Sequence, residues 1–188
     1  IGHVMVQVAA AFGVRVLTTC RGEEEVEMAK TLGVELAIDL EAQNVVHQVM
    51  DHTKGRGVDV VVDIGAVTPQ ENCACLGLEG KLLLMAVPPD STALTLEAVF
   101  EKRLTVTGCS IRSREPAYKR HLAQSLRQHV WPLLDERKVV PRVHAKFKFV
   151  DLHKALDVLE QHTERVLGKI VCVIERTHAP PTALRSDT

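Results

Sequence analysis

Gly55-Arg56-Gly57-Val58-Asp59-Val60-Val61-Val62-Asp63 is a glycine turn that runs straight into six residues, four of them valine. With Lys54 it reads as a tight turn followed by a β-branched strand, too apolar to alternate between core and solvent. A strand of that kind belongs in a sheet covered on both faces, and such sheets are parallel. The fold question therefore becomes whether helices and strands alternate around this segment.

They do. Gly2 to Phe12 is an alanine-rich apolar helix stopped by Gly13, Val14 to Thr19 a β-branched strand, and Glu23 to Leu32 a helix rich in Glu that Gly33 ends. Leu36-Ala37-Ile38 then predicts a short strand and Gln43 to His52 a helix. Beyond Asp63, Thr68 to Leu76 reads as a helix, Lys81 to Met85 as a strand, Leu94 to Glu101 as a helix after the Pro88-Pro89 break, and Leu104 to Gly108 as a strand. The expected class is α/β, a doubly wound parallel sheet.

The remainder changes character. Pro116 opens a long amphipathic segment through Leu134, with Trp131 and Leu134 on one side. Val143 to Val150 follows as a strand, Asp151 to Gln161 as a helix with Asp151 as N-cap, and Lys169 to Ile174 as a strand after Gly168. His178 to Thr188, with Pro180-Pro181, reads as a flexible tail.

Composition narrows the function classes. The chain has 188 residues, with 23 Lys+Arg against 24 Asp+Glu and a net charge of -1, so no overall field draws it to nucleic acid or anionic lipid. No apolar run approaches the ~20 residues that span a bilayer. Cys20, Cys73, Cys75, Cys109 and Cys172 are odd in number and scattered, which points to a reducing, cytoplasmic setting rather than a disulfide framework. Neither the Cys73/Cys75 pair nor the nine histidines have metal-ligand spacing, so no metal site is expected.

Several collinear segments resemble the zinc-independent NADPH quinone oxidoreductase branch of the medium-chain dehydrogenase/reductase superfamily. They are Ile1 to Gln7, Gly55 to Asp63, Lys102 to Gly108, His129 to Leu134 and Gly168 to Val171. The resemblance implies a Rossmann domain over residues 1–112, lacking its first strand. Over 113–176 it implies elements returning to a GroES-like catalytic domain whose main part would precede Ile1, and 177–188 is the tail. It implies hydride transfer from NADPH, with NADH as the other candidate, to a small electron acceptor such as a quinone or an activated double bond. The chemistry of such a step belongs to the cofactor, so no catalytic residue is assigned here.

The same resemblance places cofactor contacts at Ile1 and Gly2, where a glycine-rich turn meets its helix, and at Arg21 and Gly22 beyond the second strand. It adds Asp63 and Gly65 after the valine strand, Ala86 and Val87 in the next loop, and Cys109, Ser110 and Ile111. A cation such as Arg21 suits the extra phosphate of NADPH, since guanidinium and phosphate pair in a bidentate fork. Relatives often carry a lysine and a tyrosine nearby where this chain has Glu25 and Leu40. Pro88-Pro89 replaces a commonly glycine-rich loop, and Asp63-Ile64-Gly65-Ala66 keeps one glycine of a usual pair. The resemblance also implies a homodimer through the edge strand 104–108. Rival readings are an enoyl reductase or alcohol dehydrogenase of the same superfamily, a truncated module that acts by association, and a response-regulator-like domain, which leaves the C-terminal elements unexplained.

Overall fold

A computed structural model describes residues 1–86, 94, 96–160 and 166–174. Val87, the Pro88-Pro89 break and the tail from 177 lie outside the described residues. The chain divides into two compact units, Ile1–Val140 and Pro141–Thr188.

The first unit opens with α1 (Gly2–Ala11), β1 (Leu17–Cys20), α2 (Glu23–Lys30), β2 (Leu36–Asp39) and α3 (Val45–His52). β1 and β2 pair in parallel, Leu17 opposite Leu36 and Cys20 opposite Asp39. β1 starts later than the β-branched run Val14 to Thr19 suggests. Val14 is spent on closing α1, its N–H donating to Ala9 O at 3.0 Å after Gly13 turns through φ 75°. α3 starts at Val45 rather than Gln43 because Asn44 caps it, its side chain accepting from His47 N at 2.9 Å.

β3 (Val58–Asp63), α4 (Pro69–Cys75), β4 (Leu76–Leu84), α5 (Leu96–Glu101) and β5 (Thr105–Gly108) form the next run. Their strands make a second parallel sheet in the order β3-β4-β5. Thr68 and Glu71 form a capping box at the start of α4, each side chain bonding the other's backbone N–H. β4 begins at Leu76, well before the expected Lys81, and the β3–β4 register is interrupted between Val58 and Val60. Two apolar clusters hold the unit. Ile38, Val45, Val49 and Cys75 form one, and Cys73, Leu76, Leu82 and Leu104 the other.

The expected single helix from Pro116 to Leu134 is two helices, α6 (Pro116–His129) and α7 (Trp131–Asp135). Pro132 explains the break: it has no N–H to donate and its ring crowds the preceding turn. The division between units falls after Val140 rather than after Arg112. Val139 is 1% exposed, and Val140 is bonded to the Gln7 side chain of α1, which ties this stretch to the first unit.

The second unit pairs β6 (Val143–Lys148) in parallel with β7 (Lys169–Val173), linked through α8 (Leu152–Glu160). The strand expected to reach Val150 stops at Lys148, where Phe149–Asp151 winds into one 3-10 turn. The Asp151 carboxylate accepts from Lys154 Nζ at 2.8 Å. Gly168 holds φ 128° before β7, a conformation that other residues rarely adopt.

Candidate functional site

In a parallel sheet, the loops that follow the carboxyl ends of the strands gather on one rim. Here β3, β4 and β5 are laced at that rim by the backbone itself. Met85 N donates to Asp63 O at 2.8 Å, and Cys109 N donates to Leu84 O at 2.8 Å. Asp63, Ala86 and Cys109 therefore share one edge of the second sheet. Asp63 is 5% exposed, and its Oδ1 accepts from Gly65 N at 2.8 Å and Ala66 N at 3.2 Å, which fixes the turn after β3. Gly65 supplies the positive φ of 91° that this turn needs. Ser110 and Ile111 continue outward from Cys109 and are exposed.

α1 begins at the same rim. A Cβ built on Gly2 would meet only Ile64 Cδ1, at 4.0 Å, so there is open space beside the helix start. Ile1 precedes it, exposed, and the first turn has neither a side-chain cap nor an acidic residue. The helix dipole makes such an end attractive to an anion. α3 and α4 are capped by their own side chains, whereas α1, like α2, has no side-chain cap; α2 differs in carrying three glutamates in its first turn.

Arg21 and Gly22 lie beyond the tip of β1. Two carboxylates hold their backbone: Glu25 accepts from Arg21 N at 2.7 Å, and Asp39, at the end of β2, accepts from Gly22 N at 2.8 Å. Glu23, Glu24 and Glu25 form the first turn of α2, and Gly22 takes φ 75° to enter it. The neighbourhood of Arg21 is thus more acidic than an arginine at a strand end suggests. Burial, helped by Glu25 and Asp39, pushes the adjacent Cys20 thiol up to about 11, which leaves it protonated and inert at neutral pH.

The sequence alone does not single out Asp39, and it shows Glu25 and Ile64 only as departures or neighbours, without the contacts they make here. A signal for Asp39 was present: a carboxylate at a strand end followed by Gln43, whose Oε1 accepts from Asp39 N at 3.0 Å. Among the described residues there is no group of three or more His, Cys, Asp or Glu that could hold a metal, and no helix long and apolar enough to cross a membrane.

The profile of the zinc-binding dehydrogenases matches residues 1–127, more than half of the chain. The chain belongs to the zinc-binding dehydrogenase family. The matched portion is the cofactor-binding part of the medium-chain dehydrogenase/reductase superfamily. A 2-haloacrylate reductase from Burkholderia sp. is 40% identical over 80 residues, 42% of this chain and 24% of that protein. The crystal structure of an alcohol dehydrogenase superfamily protein from Novosphingobium aromaticivorans has a TM-score of 0.78 at 27% identity, covering 92% of this chain and 52% of that one. Escherichia coli quinone oxidoreductase complexed with NADPH has a TM-score of 0.75 at 21% identity, covering 90% and 53%, and at that identity shares the fold alone. The family member described here spans about half the length of those two structures. Its α/β architecture with parallel sheets is the Rossmann-like arrangement of these neighbours.

Proposed function

We propose that this chain forms the nicotinamide-dinucleotide platform of an oxidoreductase that delivers hydride from NADPH to a quinone or an activated carbon–carbon double bond. The observation that carries the reading is the rim itself. The uncapped start of α1 opens beside Ile64, next to the turn that Asp63 holds and the laced tips of β4 and β5. When bound, the cofactor supplies the hydride, and protein groups bind and orient it. The first turn of α1 would hold the diphosphate. Asp63 keeps Gly65 and Ala66 in place through its two accepted bonds. Ala86 and Cys109 to Ile111, which share the rim, would border the nicotinamide. The name 2-haloacrylate reductase supports the acceptor class, because a substituted acrylate carries an activated double bond.

For the adenosine end, Arg21 supports NADPH through pairing with its extra phosphate. A second reading is NADH. It is favoured by Asp39 and Glu25 on the Gly22 and Arg21 amides and by three glutamates in the first turn of α2, where a phosphate meets like charge. β5 is the outer strand of its sheet, and its exposed Thr105 and Thr107 support a homodimer formed by edge pairing about a two-fold axis. The free thiols support a reducing, cytoplasmic setting.

Titration of the protein with NADPH and with NADH, followed by nicotinamide fluorescence, tests the platform. Addition of 1,4-benzoquinone to the bound cofactor tests the acceptor. Tighter binding of NADPH and quinone-dependent oxidation are expected. Binding of neither dinucleotide overturns the reading, and alcohol oxidation with NAD in place of quinone reduction returns the chain to the alcohol dehydrogenases.

A further inference from the structure

The charge of the chain changes sign where it leaves β5. Up to Ile111 there are eight Lys or Arg against fifteen Asp or Glu, and from Arg112 to Val130 there are five against one. The acidic excess includes Glu25 and Asp39 on the Arg21 and Gly22 amides, beyond β1. The basic run starts in the segment that continues Cys109, Ser110 and Ile111 out of the rim, and α6 after it contains no acidic residue. The field at this side of the rim is therefore positive, and it draws anions.

Local bonds hold that segment in one shape. Ile111 O accepts from Arg114 N at 3.2 Å, which closes a four-residue turn with Arg112 and Ser113 at its corners. Lys119 Nζ reaches back from α6 to the carbonyl of Arg112 at 3.0 Å, and Arg114 lies over the Tyr118 ring, 5.0 Å from its centroid. Lys119 and Arg114 are thus committed to the turn itself. Arg112 is exposed, and among the described residues no carboxylate pairs with it. Its guanidinium is a fork that fits a carboxylate at two points, set on a turn whose backbone is already ordered. The ammonium of Lys119, bonded to the carbonyl of Arg112, puts a second positive charge beside it.

We propose that this turn is an anion site for the molecule reduced at the rim: Arg112, with Lys119 beside it, binds a carboxylate carried by the acceptor. The preferred acceptor is then an α,β-unsaturated carbonyl compound with an appended carboxylate rather than a neutral quinone or enone. The assignment rests on the nicotinamide lying beside Cys109 to Ile111, as proposed above. Reduction of such an acceptor adds hydride from NADPH to the carbon β to the carbonyl and moves the double-bond pair into an enolate. Water supplies one proton to the α-carbon, and NADP+ and the saturated acid are released. Arg112 touches neither reacting carbon; it orients the acceptor and lowers its KM. An ester of the same skeleton keeps the reacting bond and loses the charge, so the exposed ion pair should be worth about fivefold.

The test pairs 4-oxo-2-pentenoate with its methyl ester as acceptors, and the unreactive 4-oxopentanoate with its methyl ester as ligands. Without any dinucleotide, 4-oxopentanoate is expected to shift the amide resonances of Ile111 to Arg114 in the intact chain, with an affinity about fivefold above that of its ester. With NADPH, 4-oxo-2-pentenoate is expected to show a KM about fivefold below that of its ester. Arg112→Gln should erase both preferences, whereas Arg120→Gln, which removes the same charge from an exposed site on α6, should keep them. Equal loss in the two variants overturns the proposal, because only the general field is then at work. So does equal binding of acid and ester by the wild type. A weaker NADPH affinity in Arg112→Gln with the acid preference intact gives the turn to the cofactor and equally overturns it. The ligand arm needs no dinucleotide: a chain that binds neither NADPH nor NADH but keeps the acid preference fails the platform alone, and one that binds NADPH but treats acid and ester alike fails the anion site alone.

Discussion

Gln7 and Val140, 133 residues apart, bond each other in both directions: Gln7 Nε2 donates to Val140 O at 3.2 Å, and Val140 N donates to Gln7 Oε1 at 2.8 Å. One side-chain amide thereby does for Val140 what a neighbouring strand does elsewhere. It also fixes α1, the helix whose start forms the rim, against the segment that closes the first unit. Gln7 is 7% exposed, so its loss removes both bonds to Val140 and leaves a gap beside α1.

Gln7→Ala is therefore expected to destabilise the first unit by about 1–3 kcal/mol, read as a lower urea midpoint at unchanged slope. Gln7→Glu accepts from Val140 N but has nothing to donate to Val140 O, and should fall between wild type and Gln7→Ala. Equal midpoints for all three would remove the clamp.

Lys102 Nζ donates to the carbonyls of Cys73, Ala74 and Leu76 at 3.0, 3.0 and 2.7 Å, which satisfies the end of α4 and orients the start of β4. Lys102→Met keeps the stem and removes the three bonds. A loss of about 1.5–3 kcal/mol is expected, the range for hydrogen bonds to a charged group. Thermal unfolding with no drop in Tm contradicts this role.

Gly55 and Gly57 both take positive φ, 80° and 77°, but differ in space. A Cβ on Gly55 meets nothing within 4 Å, whereas one on Gly57 lands 2.6 Å from Gly77 N and 2.8 Å from Cys75 O. Gly55→Ala should cost about 1–2 kcal/mol from backbone handedness alone. Gly57→Ala should cost clearly more, and equal effects would show that close approach to Gly77 is unimportant.

Glu35 accepts from Arg15 Nε and Nη2 at 2.7 and 2.6 Å and pairs with His52 Nε2 at 2.8 Å. Arg15 first, then His52, lower its carboxyl from 4.5 to about 2. A depressed acid contributes stability above its unfolded value, and that contribution fades as pH falls from about 4.5 through about 2. Solvent exposure makes the effect small and salt-sensitive. Glu35→Gln should flatten the acid limb of stability against pH in that window; superimposable curves count against the cluster.

Cys109 is exposed at the rim, while Cys20, Cys73 and Cys75 are buried, with burial pushing Cys75 up to about 11 and Cys73 in the same direction. Iodoacetamide should label Cys109 ahead of those three in the folded protein. Saturating NADPH should slow that labelling, and an unchanged rate would place the dinucleotide elsewhere.

Much of the architecture was legible from period and punctuation. The four valines between Gly57 and Asp63 announce a parallel strand, although the cover expected on both faces is incomplete, with Val60 49% exposed, and Gly13, Gly22 and Gly168 sit where the backbone turns to positive φ. What escaped was set by contacts remote in sequence. Nothing local says that Gln7 reaches Val140, or that Gly77 must let Arg56 O approach so that β4 starts at Leu76. Pro132 is visible in the sequence, but the amphipathic period from Pro116 to Leu134 runs through it and reads as one helix. At the rim, Asp63 and Gly65 were reached through the resemblance, which places cofactor contacts after the valine strand. Asp39 leaves only a weak local signal and Glu25 is legible only as a departure from relatives, because the role of each lies in a bond to the Gly22 or Arg21 amide. That acidic company is also why Arg21 alone does not decide between the two dinucleotides.

Hydrogen exchange of the protein with and without saturating NADPH tests the platform most directly. Protection should concentrate at Gly2 to Val4, Asp63 to Ala66 and Cys109 to Ile111, the groups that share the rim. Binding that leaves these amides unchanged and protects a surface elsewhere would contradict it.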